Sequence, residues 1–369
     1  MINKKSSFQC LVSALILVIS LTLDAACKNN ASGSSSDETT EVTTSTTPTT
    51  TECLYATVTQ VPRVAAFTIG SKGALTAVGT YTTGSTPYDI AVSGSYLYTV
   101  NYNANTLTAF KIGSKGALTT IGSYPTGFYP RAIAINGSYV YVINSGSTDG
   151  SAGITAYVIG SGGSLNTIGS YTTGVYPNAI TTSGSYLYVE NVAGGSGTYS
   201  GITAYTIGPD GSLSNINYYI TGFFSESLAI KNNYLYVVNS GSSGSAGILT
   251  YAIGSNGTLT SVGSYTTGSE PYSIGISGNY LYISNDLGCT VTAYTIGAEG
   301  NLTNIGSYST GSLPRSIAIY GNDLYVVNYG ASSVTAFTIG TDGVLTTEGT
   351  YTPVANADLS AIKIISITN

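Results

Sequence analysis

The chain has 369 residues, 42% of them hydrophobic and only 8% charged. Its net charge of −6, with eleven Lys and Arg in no cluster larger than the Lys4-Lys5 pair, argues against a nucleic-acid binder, because phosphate recognition needs clustered cations. It contains no histidine, which rules out Ser-His and Cys-His nucleophilic sites and removes the usual proton carrier near neutral pH.

Residues 1–26 read as an export signal: Lys4 and Lys5, an apolar stretch over residues 11–23, then Ala25 and Ala26 ahead of Cys27. The apolar run is too short for a membrane span. The segment resembles the signal of a bacterial lipoprotein, with Cys27 as the lipid-bearing residue. Asp24 departs from that pattern, which has an apolar residue there. The alternative is cleavage after Ala26 to give a soluble secreted chain. Residues 28–51 are rich in Ser and Thr and nearly free of apolar side chains, so they cannot offset the entropy of ordering themselves. They are expected to act as a tether spanning roughly 25–30 Å. The expected location is the cell envelope as a lipoprotein, at the outer membrane or cell surface, or else the periplasm or exterior.

From residue 52 a Leu/Val-Tyr phrase begins at Leu54, Leu97, Val140, Leu187, Leu235, Leu281 and Leu324, at spacings of 43, 43, 47, 48, 46 and 43 residues. That period suits four strands per propeller blade. In residues 315–351 the strands read RSIAI, LYVVN, VTAFTI and LTTEGTY, separated by Gly/Asn/Asp turns. The longer periods arise only between second and third strands, at 145–153, 192–201 and 240–247, so the insertions share one face. The repeats begin at a second strand and end with a first strand near residues 361–367. The expected fold is therefore all-β: a seven-bladed β-propeller of four-stranded antiparallel blades over residues 52–369, closed by the C-terminal strand joining the N-terminal three.

The second-strand tyrosine is invariant: Tyr55, Tyr98, Tyr141, Tyr188, Tyr236, Tyr282 and Tyr325. Its hydroxyl is expected to bond backbone, in a neighbouring blade. The third-strand ring alternates between Phe and Tyr (Phe67, Phe110, Tyr157, Tyr205, Tyr251, Tyr294, Phe337), which predicts packing by the ring alone. Of four cysteines, Cys10 leaves with the signal and Cys27 is the lipid candidate. Cys53 and Cys289 are expected on opposite faces and unpaired.

The phrases PRSIAI, LYVVN and VTAFTIG resemble the YVTN-type and lactonase-like seven-bladed propellers, over nearly the whole mature chain. That family includes enzymes that open or close lactones, such as 6-phosphogluconolactonase-like and muconate-cycloisomerase-like proteins. The resemblance implies a site at the funnel mouth using Arg and Glu with a His; this chain departs from it by having no His.

The position just before each first strand's apolar run is expected to ring the channel mouth: Tyr88, Arg131, Asn178, Glu226, Tyr272, Arg315 and Ser360. Arg131 and Arg315 suit a carboxylate or phosphate clamp, with Glu226 as base. The alternative is a mutual ion pair across the channel or solvated charge. Glu190 stands where other units have Val100, Ile143, Val238, Ser284 and Val327, so it needs a raised pKa or a partner. It suits an acid/base pair with Glu226, or a divalent-cation site that no ligand motif supports; no cofactor is expected. Asn101, Asn144, Asn191, Asn239, Asn285 and Asn328 end the second strands. One residue repeated six times suggests turn-capping architecture, with ligand binding the alternative.

Two functions remain open on these residues. The first is an envelope-anchored module that binds a protein, polysaccharide or small ligand through its loop face, touching membrane only through its anchor. The second is a lactonase-like hydrolase with a His-free site.

Overall fold

Among the described residues, runs of β-branched and aromatic residues form strands, and short Gly/Asn/Asp clusters form turns between them. The computed structural model describes residues 50–59, 61–70, 75–146, 152–192, 200–222, 224–240, 247–352 and 359–368. The signal, Cys27 and most of the expected tether lie outside them, as do most of the three long loops. Side chains beyond residue 352, Ser360 included, are also outside the description.

The strands form seven antiparallel four-stranded sheets. Blades 2 to 7 span residues 87–125, 130–172, 177–222, 225–266, 271–309 and 314–351 in sequence order. Blade 1 is composite: Leu359–Thr368 pairs with Thr50–Val58, which continues through Arg63–Ile69 to Leu75–Thr82. The closing ladder runs from Thr50 opposite Thr368 to Val58 opposite Leu359. It thus begins two residues inside the segment read as tether. First strands touch first strands all the way round, so the ring is closed and these strands line the channel.

The core consists of the seams between blades. One face of each blade packs on the next; Tyr98, Val100, Leu107 and Ala109 of blade 2, for example, meet Ile133, Val140, Val142 and Tyr157 of blade 3. Among the described residues, six of the seven seams are stitched by the second-strand tyrosine. Tyr55, Tyr98, Tyr141, Tyr188, Tyr236 and Tyr282 donate to the carbonyls of Gly116, Gly163, Gly211, Gly257, Gly300 and Gly343 in the following blade, at 2.9–3.2 Å. For Tyr325 the corresponding turn falls in residues 71–74, outside the described ones. The accepting glycine is required twice over. Gly163 has φ +81°, and a Cβ there would sit 2.3 Å from the Tyr96 ring.

The third-strand rings differ from expectation. Where the residue is Tyr, its hydroxyl is used: Tyr157, Tyr205, Tyr251 and Tyr294 donate to the carbonyls of Pro125, Thr172, Ile220 and Thr266. Phe67, Phe110 and Phe337 fill the same place without that bond. Cys53 is buried, Cys289 is half-buried, and both are free.

Candidate active site

The first strand of every described blade starts with the same irregularity. Pro87 pairs with Asn101 and Asp89 with Val100, leaving Tyr88 bulged out of the ladder. The bulged residue is Arg131 in blade 3, Asn178 in blade 4, Glu226 in blade 5, Tyr272 in blade 6 and Arg315 in blade 7. A bulge re-aims a side chain that the regular pleat would have committed to the sheet. These six residues consequently line one cavity of about 190 Å³ at the channel mouth, with Asp89 beside them.

Two cations sit in that ring in different states. Arg315 is held: its Nε and Nη2 donate to the Asp286 carboxylate at 3.3 and 3.4 Å, and it lies over the rings of Tyr329 at 4.3 Å and Tyr272 at 5.4 Å. Arg131 lies over Tyr88 at 5.3 Å and, among the described residues, closes no ion pair. Burial works against its charge, but Tyr88, Tyr272 and Glu226 outweigh that, so it stays firmly cationic. The expected alternative of an ion pair across the channel is therefore not formed: Arg315 takes Asp286, and Arg131 keeps its charge for the cavity.

The Glu226 carboxylate accepts from the Asn178 amide at 3.2 Å and from the Ser240 hydroxyl at 3.3 Å. Desolvation raises its pKa; Arg131, Asn178, Ser240 and Arg315 hold that rise in check. It is a carboxylate moved toward neutral pH, as a general base requires. Asp89 is occupied otherwise, accepting the amides of Ile90 at 2.8 Å and Ile133 at 3.0 Å and so joining blades 2 and 3.

Glu190 is fully buried, and neither carboxyl oxygen has a hydrogen-bond partner. Desolvation and then the charge of Glu226 push its pKa well up, against Ser225, Arg131 and Asn178. Ser225 stands where blades 2, 3, 4, 6 and 7 begin with Pro87, Pro130, Pro177, Pro271 and Pro314. Two departures from the repeat, Glu for Val and Ser for Pro, thus meet at one seam beside Glu226.

The asparagine ring does not line this cavity. Asn101, Asn285 and Asn328 donate to hydroxyls of the third strand, for example Asn101 to Thr106 and Thr108 at 3.0 and 2.9 Å. Asn144 and Asn191 do the same to Thr155 and Thr203, and Asn239 donates to the Thr221 carbonyl. All six are buried; the first five clip strands of their own blades, and Asn239 reaches across to the last strand of blade 4. The residues that follow four of these asparagines contact the bulged ring instead: Tyr102 meets Tyr88, Ser240 donates to Glu226, and Asp286 and Tyr329 hold Arg315. Their variability from blade to blade, against the uniformity of Asn, was the signal available in the sequence. Among the described residues no cluster of three or more His, Cys, Asp or Glu is placed to hold a metal ion.

A poised carboxylate, an uncompensated guanidinium and hydrogen-bonding amides around one open cavity suit activation of water beside a carbonyl and stabilisation of the resulting oxyanion.

The model of the "Lactonase, 7-bladed beta-propeller" family matches residues 16–121, 81–149 and 269–359. Among solved structures, a "putative 6-phosphogluconolactonase" from Bacteroides fragilis aligns with TM-score 0.72 at 19% identity, over 85% of this chain and 98% of that one. The periplasmic gluconolactonase of Pseudomonas aeruginosa aligns with TM-score 0.71 at 16% identity, over 86% and 99%. A protein from Lactobacillus plantarum aligns with TM-score 0.69 at 18% identity, over 86% and 100%. At these identities the likeness is one of fold. No curated protein sequence matches the chain.

Proposed function

Because the chain belongs to the lactonase seven-bladed β-propeller family, we propose that it is a lactone hydrolase working at the channel mouth. The observation that carries this reading is the convergence of the bulged residues on one cavity: Arg131 unpaired, Glu226 hydrogen-bonded by Asn178 and Ser240, and the tyrosines of blades 2 and 6 as walls. Glu226 takes a proton from water as its oxygen adds to the lactone carbonyl. Arg131 faces the oxyanion so formed. The ring C–O bond then breaks, and the leaving alkoxide recovers a proton from the Glu226 carboxyl, giving the open hydroxy acid. Glu190, buried near this pair with its pKa pushed well up by desolvation and by Glu226, is a second proton source for the leaving oxygen.

A binding module with no chemistry was the first expectation from the sequence. A purely adhesive surface has no need of a desolvated carboxylate beside an unpaired arginine, and the family match weighs on the side of hydrolysis. The lipoprotein-like signal and the Ser/Thr-rich segment support an exported enzyme tethered through Cys27; loss of lipid labelling in Cys27→Ser is the check.

The test of activity is a pH-stat assay of the purified protein on a panel of aldonolactones, beside Glu226→Gln and Arg131→Ala. Turnover in the parent and a loss of about 10²-fold or more in Glu226→Gln, with an unchanged melting temperature, is the expected result. A parent protein that opens no lactone faster than buffer overturns the reading.

A further inference from the structure

The loops that lead into the first strands differ on the two sides of the ring. In blades 2, 6 and 7 they read Gly-Ser-Thr-Pro, Gly-Ser-Glu-Pro and Gly-Ser-Leu-Pro, at residues 84–87, 268–271 and 311–314. In blades 3, 4 and 5 they read Gly-Phe-Tyr-Pro, Gly-Val-Tyr-Pro and Gly-Phe-Phe-Ser, at 127–130, 174–177 and 222–225. The three apolar loops are consecutive, and the first strands that follow them pack on one another. Phe128, Tyr129, Val175, Tyr176 and Phe224 are each 37–54% exposed. Tyr129, Tyr176 and Phe224 also have φ of +55°, +45° and +50°, where a bulky ring costs more than glycine or asparagine. The left-handed turn itself belongs to the repeat, since Thr86, Glu270 and Leu313 share it. The aromatic rings do not, and folding gains little from rings left in water. Exposed apolar side chains gathered on neighbouring loops mark a binding surface.

These loops open directly onto the candidate active site. Tyr129, Tyr176 and Phe224 stand two residues before Arg131, Asn178 and Glu226, the cation, amide and carboxylate of the cavity. The Tyr129 ring meets Tyr102 at 5.1 Å, and Tyr102 meets the cavity wall Tyr88 at 5.7 Å. The Ser240 hydroxyl lies 2.9 Å from the Phe224 carbonyl and 3.3 Å from the Glu226 carboxylate. The carbonyls of Tyr129, Tyr176 and Phe224 accept the amides of Ser145, Val192 and Ser240 at 2.8–3.1 Å, so the rings are presented on a fixed backbone at low entropy cost.

The occupant follows from that continuity. In the hydrolysis above, Arg131 and Glu226 serve the lactone carbonyl and its attacking water, and a substituent leaving the ring on their side meets the apolar loops. The loops contain no charged residue, so a charged substituent finds no partner there. A bilayer fits less well. No Lys or Arg stands in them to meet anionic headgroups, and the chain enters the ring at Thr50, opposite Thr368, whereas the mouth end of that ladder is Val58 opposite Leu359.

We propose that this rim holds an acyl or alkyl chain carried by the lactone, so that amphiphilic lactones are opened in preference to lactones without such a chain. This rests on the hydrolase reading above and alters no bond-making or bond-breaking step in it.

The experiment compares kcat/KM for γ-decalactone and γ-valerolactone, which share a ring and differ only in side-chain length, in the purified protein and in Phe128→Ser/Val175→Ser. That variant copies the loops of Ser85, Ser269 and Ser312. The parent is expected to favour γ-decalactone about ten-fold or more. The double variant, at an unchanged melting temperature, should bring the ratio toward one. Tyr176→Thr, which copies Thr86, gives the same reading should the double variant melt early. A parent ratio of one or less, or a ratio the variants leave alone, overturns the chain site, whether the surface then proves to serve a bilayer, read by co-sedimentation with phosphatidylcholine–phosphatidylglycerol vesicles, or a second copy, read by sedimentation velocity. If aldonolactones are opened and neither of these lactones is, the proposal falls while the hydrolase reading stands. If no lactone of any kind is opened, the hydrolase reading fails by itself, and the unopened lactones become probes in calorimetry. Tighter binding of γ-decalactone than of γ-valerolactone, lost in the variant, supports the chain site; equal or undetectable binding of both overturns it.

Discussion

The Asn178 amide donates to the Glu226 carboxylate at 3.2 Å across the seam between blades 4 and 5. This bond favours the ionised form, whereas desolvation of Glu226 favours the protonated one and prevails. The base is active when ionised, so kcat/KM is expected to fall as pH drops through a value above the ordinary glutamate 4.5. Asn178→Ala removes one hydrogen bond that holds the pKa down, so the acid limb should move to higher pH. A pH–rate profile of the two proteins checks the direction. An acid limb that stays put or moves down would break the assignment of Glu226 as base.

Glu190 gives a prediction of opposite sign for stability and activity. Its folded-state pKa lies well above its unfolded value, so the folded protein holds a proton that the unfolded chain releases. Stability from this group is complete below the unfolded pKa and declines as pH rises toward the folded one. Glu190→Val installs the residue that blades 2, 5 and 7 carry as Val100, Val238 and Val327. It should add about 1–3 kcal/mol at neutral pH by removing a buried, unsatisfied carboxyl, and should flatten the pH dependence of Tm. Turnover should fall in the same variant. A Glu190→Val protein that melts lower than the parent at neutral pH would contradict the buried, unpartnered carboxyl.

The architecture was legible because it is periodic. Seven Leu/Val-Tyr phrases and a first strand left over at the C terminus define seven blades and their closure, and the ladder between Thr50–Val58 and Leu359–Thr368 is the result. The candidate ring was legible for a related reason. A position that holds Tyr, Arg, Asn, Glu, Tyr and Arg in successive units stands out against the repeat. What the sequence hid was the bulge that turns those side chains inward, because a bulge leaves no mark in composition. From the sequence, Asn101 and its equivalents read as turn caps, with ligand binding the alternative. In the fold they turn back onto Thr106, Thr108 and their counterparts, and the following residues, Tyr102 and Tyr329 among them, take the outward place. The partner of Arg315 was equally hidden, since Asp286 comes from another blade, 29 residues earlier.

The tyrosine stitches between blades should be worth measuring one at a time. Tyr98, Tyr141 and Tyr282 each donate to a glycine carbonyl of the next blade, and all three are fully buried. Phe at any of them retains the ring and deletes one hydrogen bond. The expected cost is about 0.5–1.5 kcal/mol per site, read from urea denaturation with an unchanged m-value. The three sites lie in separate seams, so their costs should add. Parent-like stability in the triple Tyr→Phe variant would remove the stitch from the account of what holds the blades together.

Closure can be tested by removing the strand that achieves it. Leu359–Thr368 supplies the innermost strand of blade 1, pairs along Thr50–Val58, and packs against the first strands of blades 7 and 2. A chain ending at residue 352 would leave the backbone groups of Thr50–Val58 without that partner and expose an unprotected strand edge. Such a protein should melt lower and in a broader transition, and it should associate or aggregate in light scattering at concentrations where the full chain does not. Adding a synthetic peptide of residues 353–369 should restore part of the lost stability in a concentration-dependent way, because a segment that binds only the folded form stabilises it by mass action. A truncated chain as stable and as monodisperse as the parent would mean that the ring does not depend on its last strand.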